Sequence, residues 1–201
     1  MNINPKVIDL YHGDTVTSFE EIYTSGIRGC IHKATEGVTL TDRAYASRRE
    51  QALDAGLLWG AYHFLRPGDM RGQARRFVDT AAPTEATLLA ADHEDHGVNL
   101  TALLDFMNEV HNEVGRFPVL YSGFLIKEQT ATADVDDKDA FRLTRLWLAQ
   151  YSATPKWPGL IWEKLFLWQY TESGSNTGIS GKVDLNSFDG TDEELAAQWA
   201  A

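Results

Sequence analysis

The chain has 201 residues, of which 43% are apolar and 11% are aromatic. This apolar content is enough for one well-buried core, so we expect a single domain over residues 1–201. Acidic residues outnumber basic ones by 29 to 18, which gives a formal net charge of -11, and the sequence has no cluster of Lys and Arg. Phosphate backbones are bound by clustered cations, so the composition argues against a nucleic-acid partner.

The start of the chain, Met1 to Lys6, lacks the charged-then-apolar pattern of a secretion signal, and no segment is long and apolar enough to span a bilayer. We therefore expect a protein made in the cytoplasm without a signal peptide, with no membrane insertion. Any work outside the cell would need a separate release route. Cys30 is the one cysteine, and its apolar neighbours predict a buried, unreactive thiol. We expect a monomer that uses no cofactor.

Eight short apolar or alternating segments predict strands, and helical patterns lie between the early ones. The strands are residues 7–11, 29–34, 58–65, 87–91, 118–121, 146–151, 165–170 and 182–185, and the helices are 18–25, 42–55, 69–81 and 99–114, with a further helical region in 124–141. Ser18 with Glu21 resembles a capping box, and Asn99 can cap its helix. Alternating strands and helices predict a parallel sheet with helices outside it.

The spacing of the predicted elements changes after the fifth strand. Only about a dozen residues separate the sixth strand from the seventh and the seventh from the eighth, and Pro and Gly in these links indicate loops. A complete eight-unit barrel typically takes ~250 residues, so this chain lacks room for the last helices. The sequence therefore predicts an α/β fold, an irregular TIM-like barrel of five β/α units followed by three strands.

Acidic residues stand at the ends of three predicted strands. They are Asp9 on the first strand, Asp92 and Glu94 on the fourth, and Asp184 on the eighth. Side chains alternate along a strand, so in each case the acids lie opposite the apolar set and point into the barrel. Closure makes the first and eighth strands neighbours, and we expect Asp9 and Asp184 together, across from the other two acids. His93 then points outward and is structural.

Crowded carboxyl groups at these strand ends retain protons to higher pH than a free acid does, which suits acid catalysis on a sugar or an ester.

Aromatic side chains gather at the same strand ends. Flat rings at a barrel mouth can stack on sugar faces, so we expect them to contact substrate together with Asn186, which shares a face with Asp184. The predicted substrate contacts are Tyr62, Phe64, Tyr121, Tyr151, Trp168 and Asn186.

A set of short stretches runs nearly end to end through the chain. They are Val7-Ile8-Asp9, Lys33-Ala34-Thr35-Glu36-Gly37, Gly60-Ala61-Tyr62-His63-Phe64, Gln73 with Phe77, Asp92-His93-Glu94, Pro118-Val119-Leu120-Tyr121-Ser122, Trp168-Gln169-Tyr170 and Val183-Asp184-Leu185-Asn186. Their order and spacing together are specific, and they extend over about nine-tenths of the chain. In these stretches the chain resembles the family 25 glycoside hydrolases, the Chalaropsis-type lysozymes.

The resemblance implies the same irregular barrel and an N-acetylmuramidase, which cuts the β-1,4 bond from N-acetylmuramic acid to N-acetylglucosamine in bacterial peptidoglycan. It implies that Glu94 is the proton donor and that Asp92 orients or stabilises the substrate's acetamido group. Asp9 and Asp184 match the remaining two acids. One departure is the run Asp9-Leu10-Tyr11-His12-Gly13-Asp14, where the family often has a small residue, then an aromatic and Gln. This loop is expected to shape the subsites differently.

The reaction expected from these roles needs a proton on the leaving oxygen and relief of positive charge at the anomeric carbon. Negative neighbours should raise the pKa of Glu94 and keep it protonated near neutral pH. Asp92 is expected to stay ionised and to accept the acetamido N–H, which gives net retention by substrate assistance. A carboxylate acting as direct nucleophile or as base for water is the alternative mechanism.

Three other kinds of protein compete with this interpretation. The run from Asp92 to His96 holds five potential metal ligands, but they point to two faces and have no helical His-Glu-x-x-His spacing, so we expect no metal. A non-catalytic peptidoglycan-binding module and a chitin-type glycosidase on the same fold remain alternatives. For the biological role we expect a phage endolysin released by a membrane-lesion protein, or a bacterial lytic protein with signal-independent export.

Overall fold

The computed structural model describes residues 3–201, apart from the side chains of residues 135–137. The strands are β1 (Pro5–Leu10), β2 (Thr15–Val16), β3 (Gly29–Glu36), β4 (Leu40–Thr41), β5 (Leu58–Phe64), β6 (Leu88–Asp92), β7 (Val119–Ser122), β8 (Leu146–Ala149), β9 (Leu167–Gly174), β10 (Ile179–Ser180) and β11 (Val183–Ser187). The helices are α1 (Phe19–Thr24), α2 (Tyr45–Asp54), α3 (Met70–Ala81), α4 (Leu100–Val114), α5 (Phe124–Thr132), α6 (Val135–Phe141) and α7 (Asp192–Gln198).

Eight of these strands close into a barrel. The ring runs β1-β3-β5-β6-β7-β8-β9-β11, and pairing of β1 with both β3 and β11 closes it. The first seven strands of the ring are parallel to one another. Helices follow each of the first five barrel strands, whereas β8, β9 and β11 are joined by loops and short strands. The predicted barrel of five β/α units and three further strands is confirmed.

The last barrel strand runs in the opposite direction to the one expected. β11 pairs antiparallel with β1 and with β9, so Asp184 is the second residue of its strand and does not stand at a carboxyl end. The amino end of an antiparallel strand lies beside the carboxyl ends of its neighbours. Asp184 therefore still reaches the barrel mouth, and it faces Asp9 directly in the register of the two strands.

Side-chain alternation separates an inner and an outer apolar layer. Along β1, Val7 packs inside the barrel, whereas Ile8 and Leu10 join the layer between the strands and the helices. Asp9 therefore points inward, as the period of two predicts. Cys30 is completely buried in the outer layer, and burial raises the pKa of its thiol. The buried thiol predicted from the sequence is confirmed.

The helix ends follow from local hydrogen bonds. Asn99 accepts from the backbone N–H of Ala102 at 2.9 Å, and Ser18 accepts from the N–H of Glu21 at 3.1 Å. The Ser18 hydroxyl donates to Glu20, so its cap differs from the expected reciprocal box with Glu21. The region 124–141 holds two helices, α5 and α6, where the sequence predicted one helical region.

Helix α7 was not predicted, and it closes the amino end of the barrel. A capping box at Thr191 begins the helix. Just beyond it, the Trp199 indole donates to the carbonyl of Trp59 at 2.8 Å. A Cβ at Gly29 would lie 2.6 Å from the Trp199 ring, so the indole needs a glycine at the start of β3. In the part of the chain that the structure describes, no helix combines the length and the apolar character needed to cross a membrane.

Candidate active site

A cavity of about 240 Å³ opens at the carboxyl ends of the parallel strands. All four predicted acids line it, with three of the predicted aromatic residues. The lining is Asp9, Tyr11, Lys33, Tyr62, Phe64, Asp92, Glu94, Tyr121, Trp147 and Asp184. A larger cavity of about 620 Å³ lies at the amino ends of β8 and β9, next to Arg145 and Phe166. We assign the site to the smaller cavity because it gathers the carboxyl groups.

Asp9 and Asp184 meet where β1 joins β11. The side-chain amide of Gln169 donates to both oxygens of Asp9, at 3.2 and 3.1 Å, and to Asp184 at 3.2 Å. Asn186 donates to Asp9 at 2.7 Å. Burial, and next the charge of Asp184, raises the pKa of Asp9 well above its ordinary value. Burial also raises the pKa of Asp184, to about 6.

Asp92 ends β6 with its carboxyl group buried in the cavity. Its Oδ1 has no hydrogen-bond partner among the described residues. Burial, and next the charge of Glu94, raises the pKa of Asp92 well above its ordinary value. This rise acts against the ionised form expected of Asp92, because a buried carboxylate without a donor is poorly stabilised.

Glu94 follows β6 and stands exposed at the rim of the cavity. Partial burial raises the pKa of its carboxyl group, and the charges of Asp184 and Glu172 add to this rise. The direction agrees with the sequence-based prediction, although burial contributes more than the negative neighbours. Protonated carboxyl groups are therefore available in this site at a pH where free acids are ionised.

His93 lies between the two acids in sequence and points away from them. Its ring is completely buried and contacts Gln129 of α5, with 2.9 Å between Nε2 and Oε1. Burial lowers the pKa of this imidazole, which favours its neutral form. The predicted outward, structural position of His93 is confirmed. Over the described residues, no three His, Cys, Asp or Glu side chains are grouped in a way that could hold a metal ion.

The predicted aromatic contacts divide into two groups. Tyr62, Phe64 and Tyr121 line the cavity, and Tyr151, which is half exposed, reaches the site through its hydroxyl, which donates to Gln169 at 3.0 Å. Trp168 is completely buried in the outer layer, where its indole donates to a backbone carbonyl. The expected sugar contact of Trp168 is therefore wrong, because strand alternation turns its ring away from the mouth.

Asn186 also differs from its expected role. It is completely buried, it accepts from the indole of Trp147 at 2.6 Å, and it donates to Asp9. No face of its side chain is open to substrate, so the predicted direct contact is wrong in this structure. Asn186 acts below the site, where it holds Asp9 in position.

Gln169 is the main residue that sequence reasoning missed. Besides its contacts to the two acids, its Oε1 accepts from the hydroxyls of Tyr121 and Tyr151, each at 3.0 Å. The side chain of Gln169 is uncharged and lies in a buried strand, so its residue type did not indicate a role in the site. Its polar amide within an otherwise apolar and aromatic stretch, residues 165–170, was the available indication, since a buried polar side chain must find partners.

A charged rim borders the cavity beside Phe64. The ring lies between two cations, with Lys33 Nζ 5.0 Å and the Arg66 guanidinium 4.5 Å from its centroid. Glu36 pairs with both cations, and Arg66 also pairs with Asp95 at 2.9 Å. This network fixes Phe64 at the edge of the mouth.

An irregular β/α barrel with clustered carboxyl groups and aromatic rings at its mouth defines the class of barrel glycoside hydrolases. The model of the "Glycosyl hydrolases family 25" matches residues 8–179, which is most of the chain. The chain therefore belongs to glycosyl hydrolase family 25. The matched range includes Asp9, Asp92 and Glu94.

Similar proteins agree with this membership. The autolytic lysozyme of Clostridium acetobutylicum is 32% identical over 187 residues, covering 91% of this chain, and the chain spans only 55% of that relative's length. The solved structure of a muramidase from Trichobolus zukalii is 30% identical, with a TM-score of 0.84 and 98% of each chain covered. A bacterial lysozyme from Streptomyces coelicolor, 24% identical, has the same fold, with a TM-score of 0.87 over 100% of this chain and 98% of that one.

Proposed function

We propose that the chain is an N-acetylmuramidase that hydrolyses the β-1,4 bond between N-acetylmuramic acid and N-acetylglucosamine in bacterial peptidoglycan. The observation that carries this proposal is the free, buried Oδ1 of Asp92 beside Glu94 in one cavity. A donor supplied by the substrate would satisfy this oxygen, and an acetamido N–H is such a donor. Chitin-type glycans carry the same group, so the test below must identify the sugar at the new reducing end.

In the proposed reaction, Glu94 gives its proton to the leaving glycosidic oxygen as the bond to the anomeric carbon breaks. The raised pKa of its carboxyl group supplies the protonated form. Its exposed place at the rim leaves room for a glycosidic oxygen between it and the other acids. After the first step its carboxylate can take a proton from the incoming water.

Asp92 acts on the acetamido group of the same sugar. A hydrogen bond from the substrate N–H to Oδ1 favours the ionised form, so substrate binding lowers the pKa that burial raises in the free site. The negative charge then promotes attack of the acetamido carbonyl oxygen on the anomeric carbon. Water opens the resulting ring from the opposite side, so the product retains the β configuration.

Asp9 and Asp184 serve the same site from the other wall. They share the amide of Gln169, and their charges can bind sugar hydroxyls and add to the negative field at the reacting carbon. The cell wall, with its glycan strands, is the partner we propose. Lysis of a bacterial host is the role that we infer from this substrate.

The proposal predicts the chemistry of the released ends. Purified peptidoglycan is digested, and the products are identified by mass spectrometry, with the anomer followed by NMR. We expect reducing-end N-acetylmuramic acid in the β form. Reducing-end N-acetylglucosamine or an inverted product would overturn the assignment, and absence of new reducing ends would indicate a non-catalytic wall-binding protein.

Glu94→Gln tests the proposed proton donor, because an amide cannot transfer a proton to the leaving oxygen as a carboxylic acid does. We expect it to fold like the parent and to lose roughly 10²- to 10⁴-fold in rate. Glu163→Gln, an exposed acid beside the cavity at the opposite barrel end, is the control and should digest like the parent. Activity of Glu94→Gln close to that of the parent would remove Glu94 from its proposed role.

A further inference from the structure

We propose that Tyr11 is an aromatic platform, which binds one sugar ring of the glycan on the wall of the mouth formed by β1. This inference rests on the proposed function and adds a residue to it. Tyr11 comes directly after β1, two positions from Asp9, and lines the same cavity. The residue is 46% exposed, so part of it is open to a ligand.

The backbone of Tyr11 is fixed on both sides. Its N–H donates to Asp14 Oδ2 at 2.7 Å, and the Asp14 N–H donates back to the Tyr11 carbonyl at 3.1 Å. The Arg48 guanidinium from α2 donates to the same carbonyl at 2.7 Å. A loop held in this way presents the ring without a large ordering cost when a ligand binds.

The next residues hold the ring itself. His12 donates its backbone N–H to the buried carboxylate of Asp42, and its ring nitrogen Nδ1 lies 2.9 Å from the same oxygen. The imidazole edge meets the Tyr11 ring with 5.2 Å between centroids. A Cβ at Gly13 would lie 2.4 Å from the Tyr11 ring, so the phenol rests directly on this glycine. The loop thus backs the ring, and 46% of the residue stays exposed.

The barrel order places this platform away from the proton donor. β1 and β7 are four strands apart in either direction around the ring of eight, so Tyr11 and Tyr121 stand on opposite walls. Glu94 follows β6, next to β7. A sugar on Tyr11 therefore contributes binding that changes little during bond cleavage, and its loss should raise KM and leave kcat unchanged.

The test compares Tyr11→Ala, Tyr11→Phe and Gly13→Ala by the peptidoglycan concentration needed for half-maximal rate. We expect Tyr11→Ala to raise this concentration about two- to tenfold with kcat unchanged, and Tyr11→Phe to behave like the parent. Gly13 is outside the left-handed region, so Ala fits its backbone and acts by displacing the ring. Gly13→Ala should therefore match Tyr11→Ala, and the double variant should be no worse than either. Tyr23→Ala, 38% exposed outside the cavity, is the control.

Three results would overturn the inference while the parent is active. The first is an unchanged KM in Tyr11→Ala, and the second is a loss confined to kcat. The third is an additive loss in the variant that combines Tyr11→Ala with Gly13→Ala, because additivity would indicate a loop defect independent of the ring. A parent that releases no reducing ends from peptidoglycan would instead overturn the proposed function, and the platform with it.

Discussion

At the residue scale, Gln169 joins Asp9 and Asp184 to the tyrosine rings beside them. Its amide NH₂ donates to Asp9 and Asp184, and its carbonyl oxygen accepts from Tyr121 and Tyr151. An amide can do both at once, whereas a carboxylate only accepts and a lysine only donates. Gln169 thereby holds two like charges close together and fixes the rings that border them.

Gln169→Met keeps the length of this side chain and removes its hydrogen bonds. The pKa of Asp9 should then rise further, because the bond from Gln169 lowers it in the parent. We expect a loss of about 10- to 100-fold in kcat, from the loss of bonds to charged groups. The limb of the pH–rate profile that belongs to Asp9 should move to higher pH. A parent-like profile, equal to that of the exposed control Gln51→Met, would contradict this role.

The acids could be predicted from the sequence because each lies at or next to the end of a strand in a shared phase. Their apolar neighbours fixed the inner face, and barrel closure brought the strands together. Trp168 was misplaced because an aromatic ring suits both a sugar site and a core, and only the phase of β9 separates them. The partners of Gln169 depend on four strands at once, which no local pattern contains.

At the scale of elements, the alternating helices and strands followed from hydrophobic period and capping residues. The antiparallel direction of β11 could not be predicted in this way, because a short strand of five residues has the same pattern in either direction. Helix α7 was missed because its seven residues bury only Leu195. Its capping box at Thr191, with Glu194 three residues later, was the available indication.

Trp199→Ala tests the contribution of α7 to the barrel. The indole is 1% exposed, packs on Gly29 and bonds the Trp59 carbonyl, so its removal leaves a cavity and an unpaired acceptor. We expect a loss of about 3–5 kcal/mol in the free energy of unfolding, measured by urea denaturation. Trp157→Ala, at a half-buried loop position, should cost less. Equal losses of stability in the two variants would contradict the role of Trp199 in closing the amino end of the barrel. A lower kcat in the folded Trp199→Ala variant would also contradict it.

At the scale of the whole molecule, closing the barrel sets like charges against each other. The register of β1 and β11 places Asp9 opposite Asp184, and both carboxyl groups have raised pKa values. An acid whose folded pKa is raised costs stability as the pH rises from its unfolded pKa to its folded pKa, because the unfolded state releases the proton at a lower pH than the folded state does. The fold therefore gives up stability to assemble the site.

Asp184→Asn should be more stable than the parent, and by more at higher pH. The pKa of Asp184 is 3.8 ordinarily and about 6 in the fold, so the parent loses stability as the pH rises through this window. Allowing for solvent screening, we expect the free energy of unfolding of Asp184→Asn to exceed that of the parent by an amount that grows by about 1–2 kcal/mol between pH 4 and pH 7. Denaturation at several pH values measures it, with exposed Asp189→Asn as control. An advantage that is constant or shrinks with pH would contradict the assignment.

The pairing of β1 with β11 also governs when activity can appear during folding. Asp9 and its partner Asn186 are 177 residues apart in the chain, so this half of the site exists only after the two ends have met. Contacts of such sequence separation form slowly, because the entropy of closing the intervening chain must be lost first. Helices and neighbouring parallel strands can form earlier from local contacts. We therefore expect the proposed catalysis to appear late in folding, with its recovery after denaturation trailing the recovery of secondary structure.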